Sequence, residues 1–369
     1  MTKKPLRVLI VDDSASVRQV LTAILSDDPE IEVMGAASDA YSAARKLQVE
    51  LPDVMILDIE MPGMDGLTFL RKIMAQRPIP VIICSTLTEA GSRALFDALE
   101  AGAFDIVPKP RVDTRNALLE SADRLRQCVK AAASARLRKR EPRAAVEKKL
   151  TADVIMPPPV TTRIRPATAR IVCIGISTGG TETLREVLEV LPVHSPGIVI
   201  VQHMPEKFTA AFASRLDRIC ALEIKEAADG DDVQSGRVLI APGNRHMLLQ
   251  RTGTRYHVAI KDGPPVSRHR PSVDVLFRSA AQYAGANALG IIMTGMGDDG
   301  ARGLLEMRKA GARTLAQDEE SSVVFGMPKE AIERGAVEKI VSLGRVPQEI
   351  MAWAHPPAGH HAPEPARSA

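Results

Sequence analysis

Short apolar runs alternate with amphipathic helical segments along the first third of the chain. Five runs have the length of buried strands and lie at residues 6–11, 31–34, 54–57, 81–84 and 105–107. Strands that alternate with helices form a parallel sheet that is covered by helices on both faces. We therefore predict a doubly wound, five-stranded parallel α/β domain over residues 5–125, with the strand order 2-1-3-4-5.

A second alternation of the same kind begins at residue 171. Strand patterns lie at residues 171–174, 198–201, 237–240 and 289–293, and helical patterns lie at residues 181–190 and 272–283. These patterns predict a second doubly wound, mainly parallel α/β domain over residues 168–353.

The two predicted domains are joined by a segment in which charge and proline replace apolar periodicity. Residues 126–167 contain "SARLRKREPRAAVEKKL" and most of "MPPPVTTRIRPATAR", which are typical of a basic, Pro-containing linker. The window 111–170 holds 15 Lys and Arg residues against 6 Asp and Glu residues, although the whole chain has a formal charge of only +3. Residues 354–369 are rich in His, Pro and Ala, so we expect a disordered tail.

The chain has 369 residues, and its cysteines and apolar runs indicate the cellular compartment in which it works. The four cysteines, Cys84, Cys128, Cys173 and Cys220, form no CxxC pair, which suits free thiols in a reducing environment. The first apolar run ends at Asp12 and is too short for the core of a signal peptide. Since no apolar run approaches the length of a membrane span, we expect a cytoplasmic protein without membrane insertion.

Polar residues follow four of the five strands predicted for the first domain. Asp12 and Asp13 end the first strand, and Asp58 ends the third. In the predicted strand order, these carboxylates meet at the carboxyl ends of neighbouring strands. Clustered carboxylates favour a hard cation such as Mg²⁺, and a carboxylate beside Mg²⁺ can accept a phosphoryl group. Ser85 and Lys109 end the fourth and fifth strands and offer a hydroxyl and an ammonium group to that phosphoryl group.

A single Asp after a strand usually caps a helix, but capping does not explain the whole set. The strings "LIVDDS", "LDIEMPGMDG" and "VPKP" resemble the receiver domains of two-component response regulators. The resemblance implies that Asp58 accepts a phosphoryl group and that Ser85 and Lys109 are switch residues. It also implies a Mg²⁺ site formed by Asp12, Asp13, Asp58 and the backbone carbonyl of Glu60. Because a receiver acts through an output domain, the activity depends on the second domain.

The first strand of the second domain runs into a glycine-rich turn, "IVCIGISTGG". A dinucleotide-binding turn reads GxGxxG, and an acidic residue ends the strand that follows it. Here Ser177 replaces the second glycine, and the next strand ends in Gln202-His203-Met204-Pro205. If the two strands are neighbours, His203 is placed to take the hydroxyl proton of Ser177, as in a nucleophile-base pair.

The serine also lies in a GxSxG pattern, which raises the α/β-hydrolase fold as an alternative. That fold has the chain order Ser, acid, His, but here the histidines after the late acidic residues lie in the predicted tail. The acid must instead follow His203, in the "IIMTGMGDDG" turn, whose N–H groups can also face an oxyanion. The pattern does not distinguish Asp298 from Asp299, and His246 and His269 are rival bases.

Five strings identify a resemblance that covers residues 170–350: "GISTGG", "VQHMP", "APGNRHM", "RHRPSVDVLF" and "MTGMGDDGARGL". As a set they resemble the chemotaxis response regulator protein-glutamate methylesterases, in which a linker joins a receiver to a serine esterase. The resemblance implies three catalytic roles, with Ser177 as nucleophile, His203 as general base and Asp299 as the acid that orients it. It also implies oxyanion contacts from Thr178 and Met296.

The same resemblance implies a function and partners. The family hydrolyses glutamate methyl esters on the cytoplasmic helices of chemoreceptors and often deamidates glutamines there. Both reactions are acyl transfers through an acyl-serine, and they need no cofactor in the esterase site. The implied partners are methylated chemoreceptors as substrate and a chemotaxis histidine kinase as phosphodonor. The one departure is Ile176, where the family commonly has a smaller residue.

Two other kinds of output domain remain as alternatives. The receiver and the basic linker suit a DNA-binding response regulator, but the second domain carries no basic recognition helix. An intact Ser177, His203 and Asp299 argue against a non-catalytic interaction domain. We therefore expect no nucleic-acid partner. We expect instead that the unphosphorylated receiver, held close by its linker, covers the esterase site and that phosphorylation weakens this docking.

Overall fold

The computed structural model describes residues 4–61, 65–76, 78–86, 92–110, 115–136, 150–159, 169–206 and 208–354. Residues 355–369 of the predicted disordered tail and half of the predicted linker lie outside these ranges. Of the helices within them, none is both long and apolar enough to cross a membrane.

The N-terminal domain alternates strictly between strands and helices. Its elements are β1 (Leu6–Val11), α1 (Ala15–Ser26), β2 (Ile31–Ala37), α2 (Ala40–Val49), β3 (Val54–Leu57), α3 (Gly66–Gln76), β4 (Val81–Ser85), α4 (Ser92–Glu100), β5 (Asp105–Pro108) and α5 (Arg115–Arg136). The five strands form one parallel sheet in the order β2-β1-β3-β4-β5. The predicted fold of this domain is confirmed.

Local sequence explains where these elements begin. Strand β3 is buried along its whole length, so it is a continuous apolar run rather than an alternating one. Helix α1 begins where the Ser14 side chain accepts a hydrogen bond from the backbone N–H of Val17. Helix α2 begins with a capping box between Asp39 and Ser42.

The C-terminal domain has more strands than its apolar pattern predicts. Its elements are β6 (Ile171–Ile176), α6 (Gly180–Glu189), β7 (Gly197–Gln202), α7 (Phe208–Ile219), β8 (Glu223–Glu226), β9 (Asp232–Val233), β10 (Arg237–Ile240), β11 (His246–Thr252), β12 (Arg255–Lys261), α8 (Val273–Tyr283), β13 (Ala288–Ile292), α9 (Ala301–Lys309), β14 (Arg313–Gln317), α10 (Met327–Glu333), β15 (Lys339–Val341) and α11 (Val346–Ala354).

Seven of these strands form a parallel sheet in the order β15-β14-β13-β6-β7-β10-β8, and three form a small antiparallel sheet in the order β11-β12-β9. The predicted mainly parallel α/β fold is confirmed. Strand β6 lies between β13 and β7. The carboxyl ends of these three neighbouring strands therefore meet at one edge of the sheet, where the predicted serine, histidine and acid follow them.

Helix α5 continues beyond the predicted end of the first domain at residue 125. Its second half buries Leu125, Cys128, Val129 and Ala132 against the N-terminal sheet. The structure therefore assigns residues 126–136 to a packed helix rather than to the linker.

A second part of the predicted linker packs against the C-terminal domain. The buried guanidinium of Arg278 on α8 lies between two carboxylates, with Nη1 2.6 Å from Oδ1 of Asp153 and Nη2 2.6 Å from Oε1 of Glu306. Met156 is buried beside these residues, and its carbonyl accepts a further hydrogen bond from Arg278. The chain is thus fixed to α8 well before β6 begins.

Candidate functional sites

Three carboxylates meet at the carboxyl end of the N-terminal sheet, as predicted. Their oxygen atoms, on Asp12, Asp13 and Asp58, all lie within 4.8 Å of one another. Asp12 and Asp58 are each only 1% exposed, whereas Asp13 faces solvent. Lys109 contacts both buried carboxylates, with Nζ 2.9 Å from Oδ2 of Asp12 and 2.7 Å from Oδ2 of Asp58.

The electrostatics of this cluster suit a bound cation. Burial raises the pKa of Asp12, and the charge of Asp58 adds to the rise. The pKa of Lys109 is raised to about 12, because its bonds to the two carboxylates outweigh the effect of burial. Several oxygen ligands with one open, solvent-facing carboxylate are a donor set that fits Mg²⁺.

The remaining residues predicted for this site also lie around Asp58. The backbone N–H of Glu60 donates to Oδ1 of Asp58 over 3.1 Å, and the Glu60 side chain accepts a 2.8 Å hydrogen bond from the Thr86 hydroxyl. Ser85 is fully buried at the end of β4 and pairs with β5 just before Lys109. The structure therefore brings all six predicted residues of the first site to one edge of the sheet.

In the C-terminal domain, Ser177 occupies the sharp turn between β6 and α6. Its backbone N–H donates to the carbonyl of Thr294 over 2.9 Å, and its carbonyl accepts from the side chain of Gln202 over 2.9 Å. Gly179 has a φ of 77°, and a Cβ there would lie 2.5 Å from Cβ of Val323. The glycine is thus required by both conformation and close approach.

His203 follows β7 and contacts the predicted acid. Its Nε2 lies 2.8 Å from Oδ2 of Asp299, and both side chains are almost completely buried. If Nε2 donates to the carboxylate, Nδ1 carries the lone pair of the neutral ring. Nδ1 is buried and has no hydrogen-bond partner among the described residues, so it is available to accept a proton from a hydroxyl.

The Asp299 side chain also caps the N-terminus of helix α8. Its carboxylate accepts hydrogen bonds from the backbone N–H groups of Val273 and Asp274, at 2.7 and 3.0 Å, and from the Ser272 hydroxyl at 2.8 Å. Burial raises the pKa of Asp299, and these hydrogen bonds, together with the nearby His269, oppose the rise. The N-terminus of a helix favours a negative charge at this position.

The residues predicted to contact an oxyanion flank the serine. Thr178 directly follows Ser177, and its carbonyl accepts a 3.0 Å hydrogen bond from the Thr294 hydroxyl. Met296 follows Gly295, where an added Cβ would lie 2.8 Å from Cβ of Ser177. The two chain segments are therefore in close contact beside the serine.

The structure also locates the alternatives left open by the sequence. Nε2 of His246 lies 3.0 Å from the carbonyl oxygen of Pro264, and its buried Nδ1 has no hydrogen-bond partner among the described residues. Asp298 forms an ion pair with Arg334, with Oδ2 3.4 Å from Nη2. His269 does lie at the site, where its ring stacks on that of His203. The geometry thus pairs His203 with Asp299.

The N-terminal domain packs directly over this site. The small cavity at Ser177 is lined by Leu99, Phe104 and Arg124 from one domain and by His203 and Phe208 from the other, and its volume is about 20 Å³. That volume holds about one water molecule. A substrate side chain therefore cannot reach the serine while the domains are packed in this way.

Charged groups of the N-terminal domain reach the residues that are predicted to be catalytic. Burial lowers the pKa of His203, and the positive charge of Arg124 lowers it further. Burial raises the pKa of Asp105, and a hydrogen bond with the Thr178 side chain opposes this rise. Sequence reasoning missed Arg124 and Asp105, because nothing in a local pattern shows which helix face meets another domain.

Comparison with known proteins supports a single family for the whole chain. A family model described as CheB methylesterase matches residues 172–350, and one described as the response regulator receiver domain matches residues 8–123. A Bradyrhizobium diazoefficiens protein named protein-glutamate methylesterase/protein-glutamine glutaminase of group 3 operon is 71% identical over 98% of this chain and 99% of its own length. Proteins with related names from Rhodopseudomonas palustris and Rhodospirillum rubrum are 72% and 66% identical, over 96% and 94% of this chain and 97% and 98% of their own lengths.

The position of Arg124 leads to a prediction about His203. Replacing Arg124 with Gln should raise the pKa of His203, because it removes a positive charge that disfavours the imidazolium form. Arg126→Gln is the matched control, since Arg126 on the same helix instead bonds to Asp123. The ring should be titrated by ¹⁵N NMR in the unphosphorylated full chain. Identical titration of His203 in both variants would contradict the proposed contact between the domains.

Proposed function

Because the chain belongs to the CheB methylesterase family and carries a receiver domain at its N-terminus, we propose that it is a phosphorylation-activated protein-glutamate methylesterase and protein-glutamine glutaminase. It acts on methylated chemoreceptors and so contributes to adaptation in chemotaxis. The observation that carries the proposal is the buried His203–Asp299 hydrogen bond beside Ser177. A DNA-binding output is disfavoured, because the C-terminal domain is an α/β sheet with these residues at its strand ends.

The first half of the reaction forms an acyl-enzyme. Oγ of Ser177 attacks the carbonyl carbon of a glutamate methyl ester, and Nδ1 of His203 takes the hydroxyl proton. Asp299 stabilises the resulting imidazolium through its bond to Nε2. Thr178 and Met296 contribute contacts to the oxyanion of the tetrahedral intermediate. When the intermediate collapses, the imidazolium returns the proton to the leaving methoxide, and methanol departs.

The second half returns the enzyme to its starting state. Water gives a proton to Nδ1 of His203 and attacks the acyl carbon. Collapse of this intermediate breaks the bond to Oγ of Ser177, which regains its proton, and leaves a free glutamate side chain. A glutamine substrate follows the same path with ammonia as the leaving group. The residues of this site suffice for both reactions without a cofactor.

Control of the activity is proposed to begin at Asp58. A chemotaxis histidine kinase supplies the phosphoryl group, and Asp58 accepts it on a carboxylate oxygen. Asp12, Asp13 and the Glu60 carbonyl would hold Mg²⁺, which supplies positive charge to the transferring phosphoryl group. Lys109 and Ser85 then bond to phosphoryl oxygens, which requires Lys109 to give up part of its present contact with the carboxylates. These residues sense the modification in the cytoplasm, where kinase and receptor tails are found.

The receiver inhibits the esterase by covering it. The two domains meet at Ser177 and leave a cavity of about 20 Å³, which excludes a receptor helix. Phosphorylation of Asp58 weakens this packing and opens the site. A tenfold gain in the open population needs a difference of only about 1.4 kcal/mol between the docked and released states.

We predict that Asp58→Ala abolishes Mg²⁺-dependent phosphorylation of the chain, because the two other carboxylates of the cluster serve as cation ligands. Incorporation of phosphate from a small-molecule phosphodonor measures the effect. Asp27→Ala is the control, since this exposed carboxylate lies on the same domain and pairs with Arg126. Undiminished labelling of Asp58→Ala would show that another residue is the acceptor.

We predict that Ser177→Ala and His203→Ala each lower kcat for methanol release by about 10⁴-fold or more. A nucleophile and its base act as one unit, so the loss of either costs about as much as the loss of both. Asp299→Asn should also be severe, since it preserves the shape of the side chain but removes the charge that stabilises the imidazolium. Asp298→Asn is the matched control and should have little effect. A crippling effect of Asp298→Asn with an active Asp299→Asn would overturn the assignment of the acid.

We predict that a fragment of residues 150–354 is more active than the unphosphorylated full chain. The fragment keeps the contact between Asp153 and Arg278 but lacks the receiver. Methanol release from methylated receptor membranes should be accelerated by a phosphodonor in the full chain and unaffected in the fragment. A fragment that is no faster than the resting full chain would exclude simple occlusion.

A further inference from the structure

The imidazole of His203 has a second contact besides Asp299. Its ring lies face to face with that of His269, with 3.7 Å between the ring centroids and 4° between the ring planes. Nε2 of His203 is held by the carboxylate at its edge, and one whole face of the ring is covered by His269. Asp299 therefore restrains rotation of the ring within its own plane, and His269 restrains tilting of the ring out of that plane.

The backbone that presents His269 is an unusual turn. Ser267 and Arg268, the two residues before it, have φ angles of 49° and 71°, a region that L-residues other than Asn and Asp rarely adopt. The backbone groups of Val266 and His269 bond to each other in both directions, at 2.9 and 3.0 Å. Two consecutive strained residues persist only where the surroundings over-determine them, and such positions cluster at functional sites.

Buried contacts hold this turn on helix α8. The hydroxyl of Ser267 lies 3.0 Å from Oδ2 of Asp274, whose other carboxylate oxygen accepts from the N–H of Gly303 over 2.8 Å. The N–H of Ser267 donates to the carbonyl of Leu150 over 2.9 Å. Asp274 also donates its own N–H to Asp299. The same helix N-terminus thus fixes the stacking histidine and the acid.

From this arrangement we infer that His269 is a positioning residue, whose ring holds the imidazole of His203 in the orientation that turns Nδ1 toward Ser177. The inference rests on the proposed role of His203 as the general base. His269 acts through its aromatic face, so the contribution depends on a flat ring at this position and not on proton transfer by His269.

Orientation gives the stacked ring a role in catalysis. Rotation of the His203 ring out of the plane set by Asp299 would be blocked by His269, which lies face to face with it. This effect acts on the general base rather than on the binding of substrate.

A pair of substitutions separates the ring from its polar atoms. His269→Phe keeps a flat ring without hydrogen-bonding groups, and His269→Gln keeps a polar side chain without a ring. In the phosphorylated full chain, kcat for methanol release from receptor membranes should fall at least about tenfold in His269→Gln, because small misplacements of a catalytic group are costly. His269→Phe should retain most of the kcat, and KM should be unchanged in both. His257→Ala, on strand β12 of the same domain, is the control and should behave like the original chain.

Several results would overturn the inference. Loss of activity in His269→Phe equal to that of His203→Ala would make His269 a chemical participant, and a raised KM with unchanged kcat would make it a substrate contact. Full activity of His269→Gln would leave the stack without a role. Fluorescence of Trp353, the only tryptophan of the chain, reports whether each variant remains folded. Failure of the proposed function would appear separately, as an active His203→Ala variant.

Discussion

The proposed esterase site depends on the hydrogen bonds that the Asp299 carboxylate accepts. This carboxylate caps helix α8 through two backbone N–H groups and bonds to Nε2 of His203 at the same time. A buried carboxylate without such donors would be neutral and could not stabilise an imidazolium. The helix N-terminus therefore makes the charge possible, and the charge gives the histidine its orientation and tautomer.

The sheet brings the parts of this site together. Strands β13, β6 and β7 are neighbours and parallel, so the acid, the serine and the histidine follow their carboxyl ends although they are far apart in sequence. The same rule places the carboxylates of the N-terminal domain around Asp58. The two domains thus use one structural principle for two chemistries, and the packing of one domain over the serine of the other provides a physical link between them.

Much of the fold and of the candidate sites was predictable, because buried parallel strands leave continuous apolar runs and their polar ends stand out. Strands β8, β14 and β15 were missed because they are short or lie near the edges of the sheet, where polar residues interrupt the pattern. The β11–β12 hairpin was missed because no apolar run in the sequence marks where either strand ends and the adjoining loop begins. Periodicity also could not choose between Asp298 and Asp299, since both lie in a turn, and the choice depends on which side chain reaches the start of α8. The contact of Arg124 with the site depends on domain packing, which local sequence does not encode.

The proposed mechanism makes Ser177 reactive when the receiver is phosphorylated. Its most direct test is the rate at which a fluorophosphonate reagent modifies the full chain, measured by mass spectrometry before and after treatment with Mg²⁺ and a small-molecule phosphodonor. We predict slow modification in the resting protein, and faster modification after phosphorylation, with Ser177 as the modified residue in both states. Modification of a different residue, or a rate at Ser177 that phosphorylation does not change, would contradict the account.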